Sequence, residues 1–283
     1  MGSALALSRV TVGRISADCE DYVFPDVLAV EEPLEIRLGL PKNGRIKHHA
    51  ISITMRTPGD DHELAAGFLF TEGIIHRRDQ ISRIRNCGLP AKGKSLQNTV
   101  VVELAEGVEV DLKRLERNFY TTSSCGVCGK SSIEALHTGV KPIGSEHNIR
   151  VPAATIHRLP EQLMSLQNTF EKTGGLHASM LLDLDGEIDL MAEDVGRHNA
   201  LDKVIGRKFM NGESPMNDRI LIVSGRASFE LVQKALMAGI PILAAIGAPS
   251  SLAVELAAEF GMTLIGFVRN DRFNIYTGEF RIV

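Results

Sequence analysis

Residues 220–268 read ILIVSGRASFELVQKALMAGIPILAAIGAPSSLAVELAAEFGMTLIGFV, and this stretch decides the fold. Short apolar runs alternate in it with longer segments of helical period. The predicted elements are strand 220–224, helix 229–238, strand 240–246, helix 252–260 and strand 263–268. Because strands joined through a helix run parallel, with right-handed crossovers, the stretch predicts an α/β unit.

The three loops that follow these strands combine small residues with arginines. They read Ser224-Gly225-Arg226-Ala227-Ser228, Gly247-Ala248-Pro249-Ser250-Ser251 and Arg269-Asn270-Asp271-Arg272. Ligands bind beyond the carboxyl ends of such strands, where helix N-termini present free backbone N–H groups. Ser228 or Ser251 can cap the helices, and Arg226, Arg269 and Arg272 can pair bidentately with phosphate. The loops therefore predict a phosphorylated ligand, such as a nucleotide. Ordinary turns with solvated arginines remain an open alternative, because no P-loop or complete dinucleotide fingerprint is present.

A hairpin and a polar segment precede this stretch. Residues 178–184 and 187–192 predict the hairpin, with Asp185-Gly186 at its turn, and a helix through residue 209 follows. Polar side chains crowd the start of that helix: Glu193, Asp194, Arg197, His198, Asn199, Asp202 and Lys203. His198 and Asn199 are candidates for contacting a purine or a ribose. Asp202 is expected to pair with Lys203 or Arg197 on a solvated face.

The first part of the chain has the period of strands. Apolar residues alternate at 34–38 and 51–55, which predicts half-buried strands. A helix at 62–70 is expected next, capped by Asp60 or Asp61. The remaining expectations are a hairpin formed by 100–104 and 108–112, and either disorder or an edge strand at 1–21.

This change of pattern divides the chain into two predicted domains. A small N-terminal α+β domain spans 1–120, and a larger α/β domain spans 121–283 and opens with a Cys-x-x-Cys loop. The larger domain is expected to begin with helices at 131–137 and 160–172, the second of which has a proline in its first turn.

Composition and charge limit the possible functions. The 283 residues are 44% hydrophobic and 23% charged, as in an ordinary globular protein with a sizeable core. A formal net charge of -4 and a pI near 6.2 exclude a general electrostatic basis for binding nucleic acid or an anionic membrane. No export signal is evident, and the most apolar run, 240–248, is too short to cross a bilayer. We therefore expect a cytoplasmic protein, in which cysteines stay reduced.

The loop TTSSCGVCGK at residues 121–130 pairs Cys125 with Cys128, and we expect the chemistry to occur there. A structural zinc site needs four ligands, and no second Cys-x-x-Cys is present. In zinc deaminases the cysteine pair follows a proline, where this chain has Ser124, and a His-x-Glu is needed, which this chain lacks. No metal site is therefore predicted. A dithiol redox role fits the spacing but lacks a thioredoxin-like βαβ setting.

A persulfide carrier is the third interpretation of this loop. It needs a nucleophilic thiolate on an accessible loop that can meet a sulfur donor and then an acceptor. Gly126 and Gly129 favour such a loop, and Lys130 with the following helix N-terminus favours the thiolate. Cys128 lies nearer to Lys130 than Cys125 does, so position alone does not decide which thiol carries the sulfur.

Several motifs of the chain resemble those of the FdhD/NarQ family of formate dehydrogenase accessory sulfurtransferases. They are residues 121–130, residues 194–203 (DVGRHNALDK), the loops at 224–226 and 247–251, and the shorter segments 56–59 and 72–73. The resemblance covers nearly the whole chain. It implies a cytoplasmic homodimer that accepts sulfur from a cysteine desulfurase and passes it to the bis-molybdopterin guanine dinucleotide molybdenum cofactor of formate dehydrogenase. It also implies a cytidine-deaminase-like second domain with a mixed sheet.

The same resemblance assigns the site residues. The persulfide-forming cysteine maps onto Cys125, which Cys128 assists. The cofactor-binding segment maps onto Phe267, Val268, Arg269, Asn270, Asp271 and Arg272. We predict that this segment binds the cofactor together with His198, Asn199, Ser224, Gly225 and Arg226, and that GDP mimics the guanine dinucleotide ends. A non-enzymatic chaperone that binds and delivers the cofactor is the alternative, besides a dithiol redox protein.

Overall fold

The computed structural model describes residues 6–15, 17, 22–42, 44–88, 97–110, 140, 142–144 and 149–283. Within these ranges, twelve β-strands form three sheets, and six α-helices accompany them. None of the helices in the described ranges is long and apolar enough to cross a membrane. The protein is therefore a mixed α/β protein, as the sequence predicts.

The N-terminal part contains two of the sheets. Strands β1 (Leu7–Arg14) and β2 (Tyr22–Ala29) form an antiparallel pair, so part of residues 1–21 is a strand. The second sheet has the order β4-β3-β6-β5. Its strands are β3 (Glu32–Lys42), β4 (Arg45–Arg56), β5 (Ile81–Cys87) and β6 (Thr99–Leu104). The alternation predicted in β3 is confirmed, because Leu34, Ile36 and Leu38 are fully buried.

Two details of this part differ from the predictions. Strand β6 pairs with β3 on one side and with β5 on the other, whereas residues 108–110 form no strand, so the hairpin prediction is wrong. Helix α1 (Asp61–Thr71) confirms the helix but not its cap. Asp60 occupies the capping position without a side-chain cap, because its carboxylate lies 2.6 Å from Arg207 instead.

The third sheet has six strands in the order β12-β11-β10-β9-β7-β8. They are β7 (His177–Leu182), β8 (Ile188–Asp194), β9 (Ile220–Val223), β10 (Ile242–Ala245), β11 (Thr263–Gly266) and β12 (Asn274–Thr277). Strands β9, β10 and β11 are parallel, and β7 and β8 form the predicted hairpin. Because β7 and β12 run antiparallel to their neighbours, the sheet is mixed.

Helices cover both faces of this sheet. They are α2 (Ala153–Leu166), α3 (Asn168–Thr173), α4 (Arg197–Met210), α5 (Phe229–Met237) and α6 (Ser251–Glu259). Alternate strand residues point to opposite faces, so Ile222 packs in one core with α2, and Leu221 packs in another with α4, α5 and α6. The result is a three-layer arrangement of helices, sheet and helices.

Two predicted helix starts need correction. The helix predicted at 160–172 begins at Ala153, after Pro152, and Pro160 lies inside it. A proline in a helix usually occurs in the first turn. Here the helix continues past Pro160 because its buried face is continuous. Ser250, rather than Ser251, caps α6 by accepting a hydrogen bond from the backbone N–H of Ala253. Ser228 precedes α5 without making a cap bond.

Helices α1 and α4 join the two parts of the chain. They cross so closely that a Cβ on Gly67 would overlap the carbonyl oxygen of Asp202, and a Cβ on Gly206 would overlap that of Glu63. Leu34 of β3 belongs to the same hydrophobic core as α4 and the six-stranded sheet. The predicted domain boundary at 120 and the predicted helix 131–137 lie outside the described residues.

Candidate functional site

Strand pairing brings the predicted site segments to one edge of the six-stranded sheet. His177, at the start of β7, pairs with Asp194 at the end of β8, and Ser179 pairs with Val223 at the end of β9. The start of β7, the end of β8 and the carboxyl ends of the parallel strands therefore share one edge. The first turn of α4 and the loops at 224–228, 246–250 and 267–273 adjoin it.

Backbone hydrogen bonds join these loops to one another. The N–H of Gly247 donates to the carbonyl of Gly225 at 2.9 Å, and the N–H of Phe267 donates to that of Gly247 at 3.1 Å. A Cβ on Gly247 would come within 2.9 Å of the Gly225 carbonyl oxygen, so only glycine permits this approach. The loop after each parallel strand is thus held by the next, which gives a continuous surface.

The segment 267–272 contributes both buried and free groups to this surface. Phe267 has a positive φ of 54° and an exposed ring, whereas Val268 is fully buried and its N–H donates to the carbonyl of Ala245 at 3.1 Å. Arg269 donates to the carbonyls of Ile246 and Val268 at 2.8 and 2.7 Å. Arg272 has 75% of its side chain exposed, and among the described residues its guanidinium pairs with Asp271 alone, at 3.6 Å.

Three residues of the loop after β9, Ser224, Gly225 and Arg226, make different contacts. The hydroxyl of Ser224 accepts a 2.9 Å hydrogen bond from the N–H of Ala178, which fixes the loop to β7. Gly225 faces the ring of His177, whose Nδ1 would lie 3.4 Å from an added Cβ. Arg226 is exposed and forms no ion pair with any residue that the structure describes. The hydroxyl of Ser224 therefore holds the loop in place, and the exposed guanidinium of Arg226 can meet an anion.

His177 and His198 place their rings beside the loop after β9. Burial, together with Lys234 and Arg197, lowers the pKa of His198 to about 4. Its Nε2 lies 3.4 Å from the hydroxyl of Ser228 and 3.9 Å from the carboxylate of Glu230.

The sequence does not single out His177, because the only signal of this residue is its position opposite Asp194 in the hairpin. Burial, and then the nearby Arg197, lower the pKa of His177. Both rings are uncharged at neutral pH, so they can offer hydrogen bonds without adding charge.

Two polar residues of the predicted cluster point into the protein instead. Asn199 is buried: its amide donates to the carbonyl of Met55 at 2.8 Å, and its oxygen accepts from Thr54 at 3.1 Å. Asp202 was expected on a solvated face with Lys203 or Arg197, and that expectation is wrong. Its carboxylate is buried and pairs with Lys234 at 2.9 Å.

Cys125 and Cys128 lie outside the described residues. Among the described residues Cys87, at the end of β5, is the one cysteine, and it is free and half-buried. The described residues also contain no cluster of three or more His, Cys, Asp or Glu side chains suited to a metal. The site that the structure describes is therefore the arginine- and histidine-bearing edge alone.

The fold is similar to that of a solved structure of a formate dehydrogenase accessory protein. A crystal structure of a formate dehydrogenase accessory protein from Desulfotalea psychrophila superimposes with a TM-score of 0.74 at 25% identity, covering 98% of this chain and 100% of that one. The model of the FdhD/NarQ family matches residues 29–283, so the chain belongs to this family.

Curated relatives agree with this assignment. A protein of Streptomyces coelicolor named sulfur carrier protein FdhD is 51% identical over 260 residues, which cover 91% of this chain and 89% of the relative. A protein of the same name from Mycobacterium tuberculosis is 47% identical over 287 residues, covering all of both chains.

Proposed function

We propose that this protein is a sulfurtransferase that carries sulfur as a persulfide on Cys125. In this proposal a cytoplasmic cysteine desulfurase supplies the sulfur. The sulfur acceptor is the bis-molybdopterin guanine dinucleotide molybdenum cofactor, which formate dehydrogenase then receives. The working form is a homodimer, and the six-stranded sheet with its helices is the cytidine-deaminase-like unit that binds the cofactor.

One observation carries the proposal: relatives named sulfur carrier proteins are up to 51% identical over 91% of the chain. The sequence supplies the matching chemistry, because Cys125 and Cys128 flank two residues in a segment that also contains Lys130. A neighbouring cation favours the thiolate, which is the form that attacks sulfur.

The two cysteines supply the sulfur nucleophiles of both transfer steps. In loading, the Cys125 thiolate attacks the terminal sulfur of the desulfurase persulfide; the donor S–S bond breaks, and the donor cysteine leaves as a thiolate. In release, the Cys128 thiolate attacks the Cys125 sulfur, forms a Cys125–Cys128 disulfide and expels hydrosulfide, the two-electron reduced form that a metal can accept. A cellular dithiol then reduces the disulfide.

The edge of the six-stranded sheet is the cofactor-binding surface in this proposal. The cofactor carries phosphates. Arg226 and Arg272 are exposed, and within the described residues Arg226 has no ion pair and Arg272 has one, at 3.6 Å. The neutral rings of His177 and His198 suit a base or a ribose hydroxyl. GDP contains the guanine, ribose and diphosphate of the cofactor ends, so it is the probe for this surface.

The intact mass of the protein tests the carrier function against the chaperone alternative. After incubation with a cysteine desulfurase and cysteine, the mass should rise by one sulfur atom, and a dithiol reductant should remove the gain. Cys87→Ser is the control, because Cys87 belongs to β5 of the N-terminal part and should not affect loading. A mass that never changes would support the chaperone and contradict the carrier.

A further inference from the structure

Asp194, at the end of β8, is saturated with hydrogen bonds from both parts of the chain. One carboxylate oxygen accepts from the N–H of Gly196 at 2.8 Å and from the amide of Asn199 at 3.1 Å. The other accepts from the N–H of Thr57 at 3.1 Å and lies 2.7 Å from the ammonium of Lys203. Four donors therefore converge on one fully buried carboxylate.

This arrangement rules out direct ligand contact by Asp194 and gives it a different role. A buried carboxylate is tolerated only when its oxygens are paired, and here both oxygens are fully used. The groups it holds are specific: Gly196 is the residue that caps α4, and Thr57 leads from β4 to α1. The hydroxyl of Thr57 also accepts from the N–H of Val195 at 3.2 Å. Asp194 thus fixes the backbone immediately before the first turn of α4.

Arg197 is the first residue of that turn, and its guanidinium forms no ion pair with the residues that the structure describes. Its Nε is buried without a hydrogen bond, and no carboxylate of the described residues lies within ion-pair distance. After burial, the charge of Arg197 is among the causes that lower the pKa of both His177 and His198, so it acts at the edge where these rings lie. The first N–H groups of a helix also lack intrahelical partners. An anion could pair with the guanidinium of Arg197 and accept hydrogen bonds from the first N–H groups of α4.

We propose that Asp194 is a positioning residue that holds Arg197 and the first turn of α4 in place to receive a phosphate of the guanine nucleotide end of the ligand. The inference rests on the proposed function, because it requires that a nucleotide end binds at this edge. It assigns the ligand contact to Arg197, a residue not among the sequence-predicted cofactor contacts, and indirect control of that contact to Asp194.

A variant of Lys203 distinguishes the positioning role of Asp194 from its contribution to stability. Removing either member of the Asp194–Lys203 pair leaves an unpaired buried charge and destabilises the fold. Lys203→Met leaves Asp194 bound to Gly196, Asn199 and Thr57, so the first turn of α4 keeps its anchor. Asp194→Ala removes the anchor itself. If Asp194 only stabilised the fold, two variants that are destabilised to the same extent would bind the ligand with the same affinity.

The experiment is titration calorimetry of the full-length protein with GDP, at a temperature where circular dichroism shows each variant folded. Asp194→Ala should bind GDP about tenfold more weakly, corresponding to loss of roughly one charge-assisted hydrogen bond. Lys203→Met should stay within about twofold of the unmodified protein, although both variants melt at lower temperature. Where Asp194→Ala does not fold, Asp194→Asn replaces it, and the retained acceptor oxygen should rescue part of the affinity.

Sulfur loading separates this inference from the proposed function. Asp194→Ala should still gain one sulfur atom from the desulfurase, because loading does not use the nucleotide edge. Equal GDP affinities in Asp194→Ala and Lys203→Met would overturn the positioning role. Failure of the unmodified protein to bind GDP would overturn the nucleotide site and this inference with it, whereas failure to load sulfur would overturn the carrier function alone.

Discussion

His198 shows how single residues set the character of the binding edge. Its ring lies near Lys234 and Arg197, and burial together with these cations lowers its pKa to about 4, against an ordinary value of 6.5. Protonation would add a third positive charge to a crowded, partly buried place, so the ring stays neutral at physiological pH. The positive charge of the edge therefore comes from its arginines.

Arg272 is the residue at which this charge is most accessible. Its side chain is 75% exposed, and within the described part of the chain it forms one ion pair, with Asp271 at 3.6 Å. Arg272→Ala should weaken GDP binding by about 1–3 kcal/mol, the value of a charge-assisted contact, without changing the melting temperature. Calorimetric titration measures the affinity.

Arg77→Ala is the matched control for Arg272→Ala. Arg77 is 74% exposed and pairs with a nearby carboxylate, Asp79, at 3.0 Å, but it lies between α1 and β5 in the N-terminal part. Its removal should leave GDP affinity unchanged. If both variants lose affinity equally, the effect reflects net charge, and the assignment of residues 267–272 to the ligand is wrong.

Among the elements, the crossing of α1 and α4 holds the two parts of the chain together. Glycines let the two backbones meet, since Gly67 faces the carbonyl of Asp202 and Gly206 faces that of Glu63. The buried pair Asp202–Lys234, which also bonds to Thr71 of α1, closes the same interface from the side of α5. The crossing thereby also fixes the direction of α4, whose first turn faces the ligand edge.

Gly206→Ala should destabilise the protein by about 3 kcal/mol or more, because an added methyl group would overlap the carbonyl oxygen of Glu63 and force the helices apart. Gly13→Ala is the control, since a Cβ at Gly13 meets nothing within 4 Å. Urea unfolding followed by circular dichroism measures both. Equal stabilities would show that the helices can separate without cost, against the close packing described.

The elements also show what the sequence could predict. Strands β9, β10 and β11 were predictable because continuous apolar runs between helical segments are typical of buried parallel strands. Strand β5 was not, because Ile81–Cys87 lies at a sheet edge and contains few buried residues. The partner of Asp202 was equally hidden, since Lys234 and Thr71 lie far away in the chain. Periodicity reports burial, whereas pairing between distant segments depends on the assembled fold.

At the scale of the whole molecule, the predicted loops came together because strand pairing puts the ends of β8 to β11 at one edge. The sequence could propose Arg226, Arg269 and Arg272 for that edge from the rule for parallel strands. It could not reveal that Asn199 is buried or that Asp194 joins both parts of the chain. The thiol chemistry of Cys125 and Cys128 is inferred from sequence and family.

The position of the transferred sulfur tests the carrier function most directly. Peptide mass spectrometry after incubation with a cysteine desulfurase and cysteine should locate one extra sulfur on Cys125, both in the unmodified protein and in Cys128→Ala. Cys125→Ala should carry none, while keeping its fold and its affinity for GDP. Sulfur found only on Cys128, or retained in Cys125→Ala, would contradict the assignment of Cys125 as the carrier.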